Sequence, residues 1–144
     1  MNLRQISVFL ENRKGRLASL TTMLADKGVN MQASSLADTG DYGVLHFITD
    51  NFDLAWQTLT QGGYSVCESK VMIVKVSHEP GSLARVLQII EENEINIEYM
   101  YALPQIVEGR ALILFRFYDH EESVQKLAGK NLETFKIDTS NDQI

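Results

Sequence analysis

From Ile6 to Leu10 apolar and polar positions alternate, placing Ile6, Val8 and Leu10 on one face with the two-residue period of a strand. The period changes after Gly15, where Leu17, Leu20, Met23 and Leu24 form one stripe of a helix that Lys27-Gly28 ends. Met31 to Ala37 alternates again and predicts a second strand. A polar, glycine-containing turn from Asp38 to Gly43 leads to a third strand, Gly43 to Thr49. Asp50 or Asn51 is suited to cap a second helix, with Phe52, Ala55, Trp56 and Leu59 on its buried face. Gly62-Gly63 stops that helix, and Tyr64 to Glu68 reads as a fourth strand.

The series then repeats. Val71 to Val76 is a strand, and Leu83, Val86, Leu87 and Ile90 mark a helix. Ile95 to Leu103 and Arg110 to Tyr118 are strands separated by a loop around Pro104 to Gly109. A helix capped by Asp119 carries Glu121 and Glu122 in its first turn, where the helix dipole favours them, and Glu133 to Asp138 is the last strand. At an offset of 66, Val8, Gly15, Leu17, Ala18 and Asn30 meet identical residues; beyond the longer loop the offset becomes about 69. Matching patterns at this period signal an internal duplication. The fold class is therefore α+β, two tandem ferredoxin-like βαββαβ units, each an antiparallel sheet with its helices on one face. The expected domains are 1–68 and 69–144, joined by Glu68-Ser69-Lys70. Units this small leave an exposed edge or helix-free face, which favours pairing into a homodimer or larger assembly.

Composition narrows the function. The chain has 144 residues, 44% of them hydrophobic, and a net charge of -6, with acidic residues in excess in both halves. A phosphate-backbone binder needs the opposite charge, so no nucleic-acid partner is expected. An RNA-binding sheet also needs exposed aromatics on its central strands; Tyr99, Tyr101, Phe115 and Phe117 come nearest and read as packing residues instead. Cys67 is the single cysteine, and His46, His78 and His120 lack metal-ligand spacing, so no disulfide and no metal site is expected. His46, in mid-strand, reads as a structural histidine. No phosphate-binding glycine motif and no nucleophile elbow appear, so no cofactor and no catalytic activity are expected. The longest apolar run, Ala111 to Phe115, is far below a membrane span, and the first residues lack a secretory design, so the expected setting is the cytoplasm.

The informative places are the first strand-to-helix turns. Glu11-Asn12-Arg13-Lys14-Gly15-Arg16-Leu17 and Ser77-His78-Glu79-Pro80-Gly81-Ser82-Leu83 each set a glycine at a helix start. Such a turn is either a plain junction or one that opens helix N–H groups to a carboxylate. Arg13, Lys14 and Arg16 lie at a helix end that disfavours cations, which a bound anion would offset; without one they would point into water. Asn30 and Asn96 share a repeat position after the helix, where an asparagine forms a local turn or presents donor and acceptor to a zwitterion.

With Pro80-Gly81-Ser82-Leu83 and Ile95-Asn96-Ile97 in one half, and Lys14-Gly15-Arg16-Leu17 and Gly28-Val29-Asn30-Met31 in the other, both halves resemble ACT domains. These are small-molecule-binding regulatory modules of amino-acid metabolism. Asn12 with Asn30 is similar to the serine-sensing ACT domain of phosphoglycerate dehydrogenase, although Leu10 stands where that domain has a histidine, and His78 replaces the first asparagine in the second half. The resemblance spans about residues 3–138 and leaves no room for a catalytic or DNA-binding domain. It implies an amino acid held between one unit's turn-helix junction and a neighbouring unit. The binding residues it implies are Asn12, Arg13, Lys14, Gly15, Arg16, Asn30 and Met31, and in the second half His78, Glu79, Gly81, Asn96 and Ile97. It also implies a metabolic enzyme as partner. The alternative is a subunit that regulates by protein contact alone, like the small subunit of acetohydroxyacid synthase.

Overall fold

A computed structural model describes residues 3–38 and 40–136, with Asp38 described by its backbone only. The elements run β1 (Leu3–Glu11), α1 (Arg16–Asp26), β2 (Met31–Asp38), β3 (Tyr42–Thr49), α2 (Phe52–Gln61), β4 (Ser65–Ser77), α3 (Ser82–Glu92), β5 (Ile97–Val107), β6 (Arg110–Phe117), α4 (His120–Leu127) and β7 (Glu133–Phe135). This is the βαββαβ order twice. The last strand, expected over Glu133 to Asp138, is found at Glu133–Phe135, and positions 137 and 138 lie outside the described residues.

The chain divides into two compact units, one built on residues 4–69 and the other on 70–136, and the division falls inside β4. Two strands and a linker were expected there; one 13-residue strand is found. Glu68-Ser69-Lys70 contains no glycine or proline, so nothing in it breaks an extended backbone. The first unit has the strand order β2-β3-β1-β4 and the second β7-β4-β6-β5. Both place the opening strand in the centre of the sheet.

Each unit has its own core. Ile6, Val8, Leu10, Leu45 and Phe47 of the first sheet pack with Leu20, Leu24, Ala55 and Leu59 of α1 and α2. Met72, Val74, Val76, Phe115 and Phe117 pack with Val86, Ile90 and Leu127 of α3 and α4. Phe115 and Phe117 are fully buried, their rings stacked at 5.9 Å between centroids, so they offer no surface to a nucleotide base. The opposite sheet face is not bare as expected: Ser7, Ile73, Leu112 and Leu114 are buried too, while Phe9 and Tyr42 stay exposed. His46 on that face bonds Ser7, Nδ1 to Oγ at 2.7 Å, and burial lowers its pKa, consistent with a structural, neutral ring.

Two local expectations are corrected. Leu17 belongs to the sequence stripe of α1 yet is 38% exposed. It lies in the first turn, and a helical side chain leans toward the N-terminus, so Leu17 overhangs the junction rather than the sheet. The loop expected around Pro104 is strand: β5 continues through it with a register shift between Ala102 and Ile106. β5 is an edge, where a residue without an N–H is tolerated. The turn shrinks to Glu108-Gly109, both at positive φ. The repeat offset after this insertion, read from the helix starts Phe52 and His120, is 68.

That turn is held by charge. Lys75, whose side chain is 14% exposed, reaches Glu108 at 3.1 Å and Glu133 at 3.4 Å; Arg110 binds the same two carboxylates. Arg110 and Lys75 hold both glutamates below the usual carboxylate range, as Lys70 does for Glu121. A depressed carboxylate contributes stability above its unfolded value and loses it as pH falls through its folded one. Unfolding by urea should therefore become easier on acidification below about pH 4.5, the ordinary glutamate range. In Arg110→Met the stability at neutral pH should be lower and the further loss on acidification smaller, because the two carboxylates are then less depressed. Identical acid profiles for the two proteins would show that this network does not stabilise the fold.

Candidate functional site

The two junctions have one backbone geometry. Gly15 at φ 87°, ψ -8° and Gly81 at φ 86°, ψ -10° are the N-caps of α1 and α3, and neither helix has a side-chain cap. The Arg16 amide donates to Arg13 O at 3.3 Å, and the Ser82 amide to Glu79 O at 3.2 Å. The next bonds are from Ser19 N to Gly15 O and from Arg85 N to Gly81 O, both 3.0 Å. The amides of Leu17, Ala18, Leu83 and Ala84 consequently have no acceptor among the described residues. In the other two helices a side chain caps one first-turn amide: Asn51 Oδ1 accepts from Leu54 N, and Asp119 Oδ1 from Glu122 N, while the amides of Phe52, Asp53, His120 and Glu121 have no acceptor among the described residues. They also carry acidic residues in their first turns, which α1 and α3 lack. Two open, positively polarised helix ends thus occur at the same repeat position.

Around the first junction the three cations do different work. Arg13 pairs with Glu11 at 2.7 Å. Arg16 lies over Tyr64, 5.8 Å from the ring centroid, with its Nε buried and without a hydrogen-bond partner. Lys14 alone is exposed without a partner among the described residues. Asn12 is partly spoken for: Nδ2 donates to Gly40 O at 2.8 Å, and its backbone amide to Asp41 O at 2.9 Å. Its Oδ1 accepts no bond among the described residues. In the second unit His78, Glu79 and Gly81 are exposed at the corresponding turn.

Asn30 lies elsewhere. Its backbone amide donates to Asp50 Oδ1 at 3.0 Å and its side chain is exposed. The register sets Glu11 opposite Tyr42, at one end of β3, and Met31 opposite Thr49, at the other. Those seven steps of extended chain are roughly 23 Å. The same holds in the second unit, where Ser77 faces Arg110 and Ile97 faces Phe117. One unit therefore brings together Asn12, Arg13, Lys14, Gly15 and Arg16, and separates them from Asn30 and Met31; likewise it separates His78, Glu79 and Gly81 from Asn96 and Ile97. Asn96 borders a shallow groove with Leu87, Ile95 and Ile97 on its floor and Glu91 and Glu94 on its rim. Those two carboxylates were not singled out by sequence. Among the described residues no three His, Cys, Asp or Glu side chains converge as a metal site, and no helix is long and apolar enough to cross a membrane.

Duplicated ferredoxin-like units, each with an open glycine-capped helix, define a tandem ACT protein. The chain belongs to the family described as "ACT domain pair", whose model matches residues 1–141. Among solved structures it is similar to protein BT0572 from Bacteroides thetaiotaomicron, at 30% identity, TM-score 0.85, covering 94% of this chain and 92% of that one. The regulatory subunit of aspartate kinase from Thermus thermophilus shares the fold at 17% identity and TM-score 0.61, covering 87% of this chain and 90% of that one. That from Thermus flavus does so at 15% and 0.60, covering 89% and 92%. No curated protein matches the sequence.

A Cβ placed on Gly15 or Gly81 meets nothing within 4 Å, so each glycine is required by its φ and not by space. Gly15→Ala and Gly81→Ala should each lower stability by roughly 1–2 kcal/mol, the strain of a left-handed L-residue. Equilibrium urea unfolding measures this, and an unchanged midpoint would mean that the turn is not left-handed.

Proposed function

We propose that this chain is a non-catalytic regulatory protein that binds a free amino acid and controls a metabolic enzyme in the cytoplasm. One observation carries the reading: α1 and α3 begin on left-handed glycines with open amides, while α2 and α4 are capped by Asn51 and Asp119. An amino-acid carboxylate is suited to those amides. The family, and the fold shared with aspartate kinase regulatory subunits, supports the regulatory role.

The ligand's two ends meet different parts of the frame. The Leu17 and Ala18 amides beside Gly15, with Lys14, suit the carboxylate, and Asn12 Oδ1 suits the ammonium. Asn30 is too far along β3 to reach the same ligand from within one unit, so its role requires a second unit closing over the first junction. A homodimer or larger assembly provides such neighbours. Ligand that binds one packing of units better than another shifts the population toward it, and a partner enzyme reads that shift.

Free ligand at 100 times its dissociation constant should stabilise the fold by ~2.7 kcal/mol. For a chain this size that raises the melting temperature by roughly 5–11 °C. Asn30→Ala should remove most of the rise and Asn96→Ala less, because the second junction carries His78 and Glu79 in place of an asparagine and a cation. The reverse ranking would move the site to the second unit. A thermal-shift screen of the twenty amino acids without any response would sink the ligand reading and leave a subunit that acts by protein contact. Light scattering should show a dimer or larger at high micromolar concentration; a monomer with and without amino acids would remove the assembly.

A further inference from the structure

We propose that His120 is an acid-operated latch: its neutral ring seats the first turn of α4 on the sheet, and protonation releases that turn. His120 is the first residue of α4 and is 6% exposed. Both of its ring nitrogens are buried, and neither has a hydrogen-bond partner among the described residues. The ring stacks on Phe117 of β6, with centroids 6.2 Å apart and planes at 24°. A buried imidazole with neither nitrogen satisfied is poorer packing material than a hydrocarbon ring of similar shape.

The other repeat shows that such a ring suffices. Asn51 caps α2 and Phe52 follows it, as Asp119 caps α4 and His120 follows. Phe52 holds its helix with a stacked ring, 5.7 Å from that of Trp56, beneath the Arg4 guanidinium at 3.7 Å. At this shared position the histidine of the second unit adds one property that phenylalanine lacks, a site for a proton.

The surroundings refuse that proton while the ring is seated. Arg116 of β6 and Lys70 of β4 act on the ring with positive charge, and Glu121 of α4 is the carboxylate acting on it. Lys70 already binds Glu121 at 2.9 Å, and Arg116 pairs with Glu98 at 3.4 Å and donates to Lys70 O at 3.2 Å. Asp119 is engaged in capping through Glu122 N. In the seated position neither ring nitrogen meets an acceptor among the described residues. A cation at the first position of a helix also opposes the helix dipole. Burial first, and then Arg116 and Lys70, take the ring's pKa down to about 4.

A released ring titrates as in an open chain, near 6.5. Its folded value is the lower one, so the seated state is fully favoured above about pH 6.5 and loses ground as pH falls toward 4. Across that window the ratio of released to seated α4 rises by roughly 80-fold.

Amide hydrogen exchange on the full chain tests this, with α2 as the internal standard and with intrinsic exchange rates corrected for pH. In the native sequence, protection of the amides of residues 121–127 should fall relative to α2 by about two orders of magnitude between pH 6.5 and pH 4. In His120→Phe the ratio should fall by no more than a few-fold, the part that belongs to Glu121 and Asp119. A fall of only a few-fold in the native sequence, or the same large fall in His120→Phe, would overturn the proposal. The proton-NMR titration of the native ring needs no variant: a pKa below about 5 agrees with the latch, and one near 6.5 overturns it.

Discussion

A left-handed residue before each opening helix is the constraint on which the rest depends. The turn from β1 to α1, and from β4 to α3, closes only if the residue at the helix start has positive φ. Glycine accepts that conformation, and having no side chain it cannot cap the helix it begins. One requirement of chain geometry therefore produces a chemical result, a pair of polarised amides facing outward at each junction. Where the chain enters α2 and α4 the cap is an asparagine or aspartate in an extended conformation, whose side chain takes one first-turn amide. The difference between the two kinds of helix start in this molecule is the identity of one residue, a glycine without a side-chain cap or an Asx residue with one.

On that common frame the repeats have diverged in opposite electrical directions. The first junction carries Asn12, Arg13 and Lys14, and the second His78, Glu79 and Pro80. At the far end of the helix, the groove beside Asn96 is rimmed by Glu91 and Glu94, where the first repeat has Ala25 and Gly28. Backbone equivalence does not make the two units chemically equivalent, and a ligand suited to one junction meets a different charge at the other.

The element order was legible because it is written in periodicity: every helix and strand expected from residues 6 to 135 is present. The breaks between elements were less legible. Glu68-Ser69-Lys70 separates two strand patterns without ending a strand, since only the joining of two repeats, and no turn residue, marks it. Pro104 looked like a loop because its ring forbids a central strand, and only the sheet order reveals that β5 is an edge. The site was legible as motif and not as geometry. Asn12 and Asn30 belong to one signature, yet an 11-residue helix between them is about 16 Å long and carries the chain to the other end of the unit. The fates of Arg13 and Arg16 depended on Glu11 and Tyr64, one a neighbour by sequence and the other 48 positions away.

The unbroken course of β4 has an evolutionary consequence. Side chains alternate along a strand, so a single residue gained or lost between Met72 and Val76 would turn part of that face out of the second core and bring Ile73 or Lys75 in. The hairpin of β5 and β6 is under no such rule: the second repeat carries two more residues than the first there, absorbed by an edge strand with an irregular register. Length variation among descendants of this duplication should collect at that edge, while the central strand of each unit keeps its count.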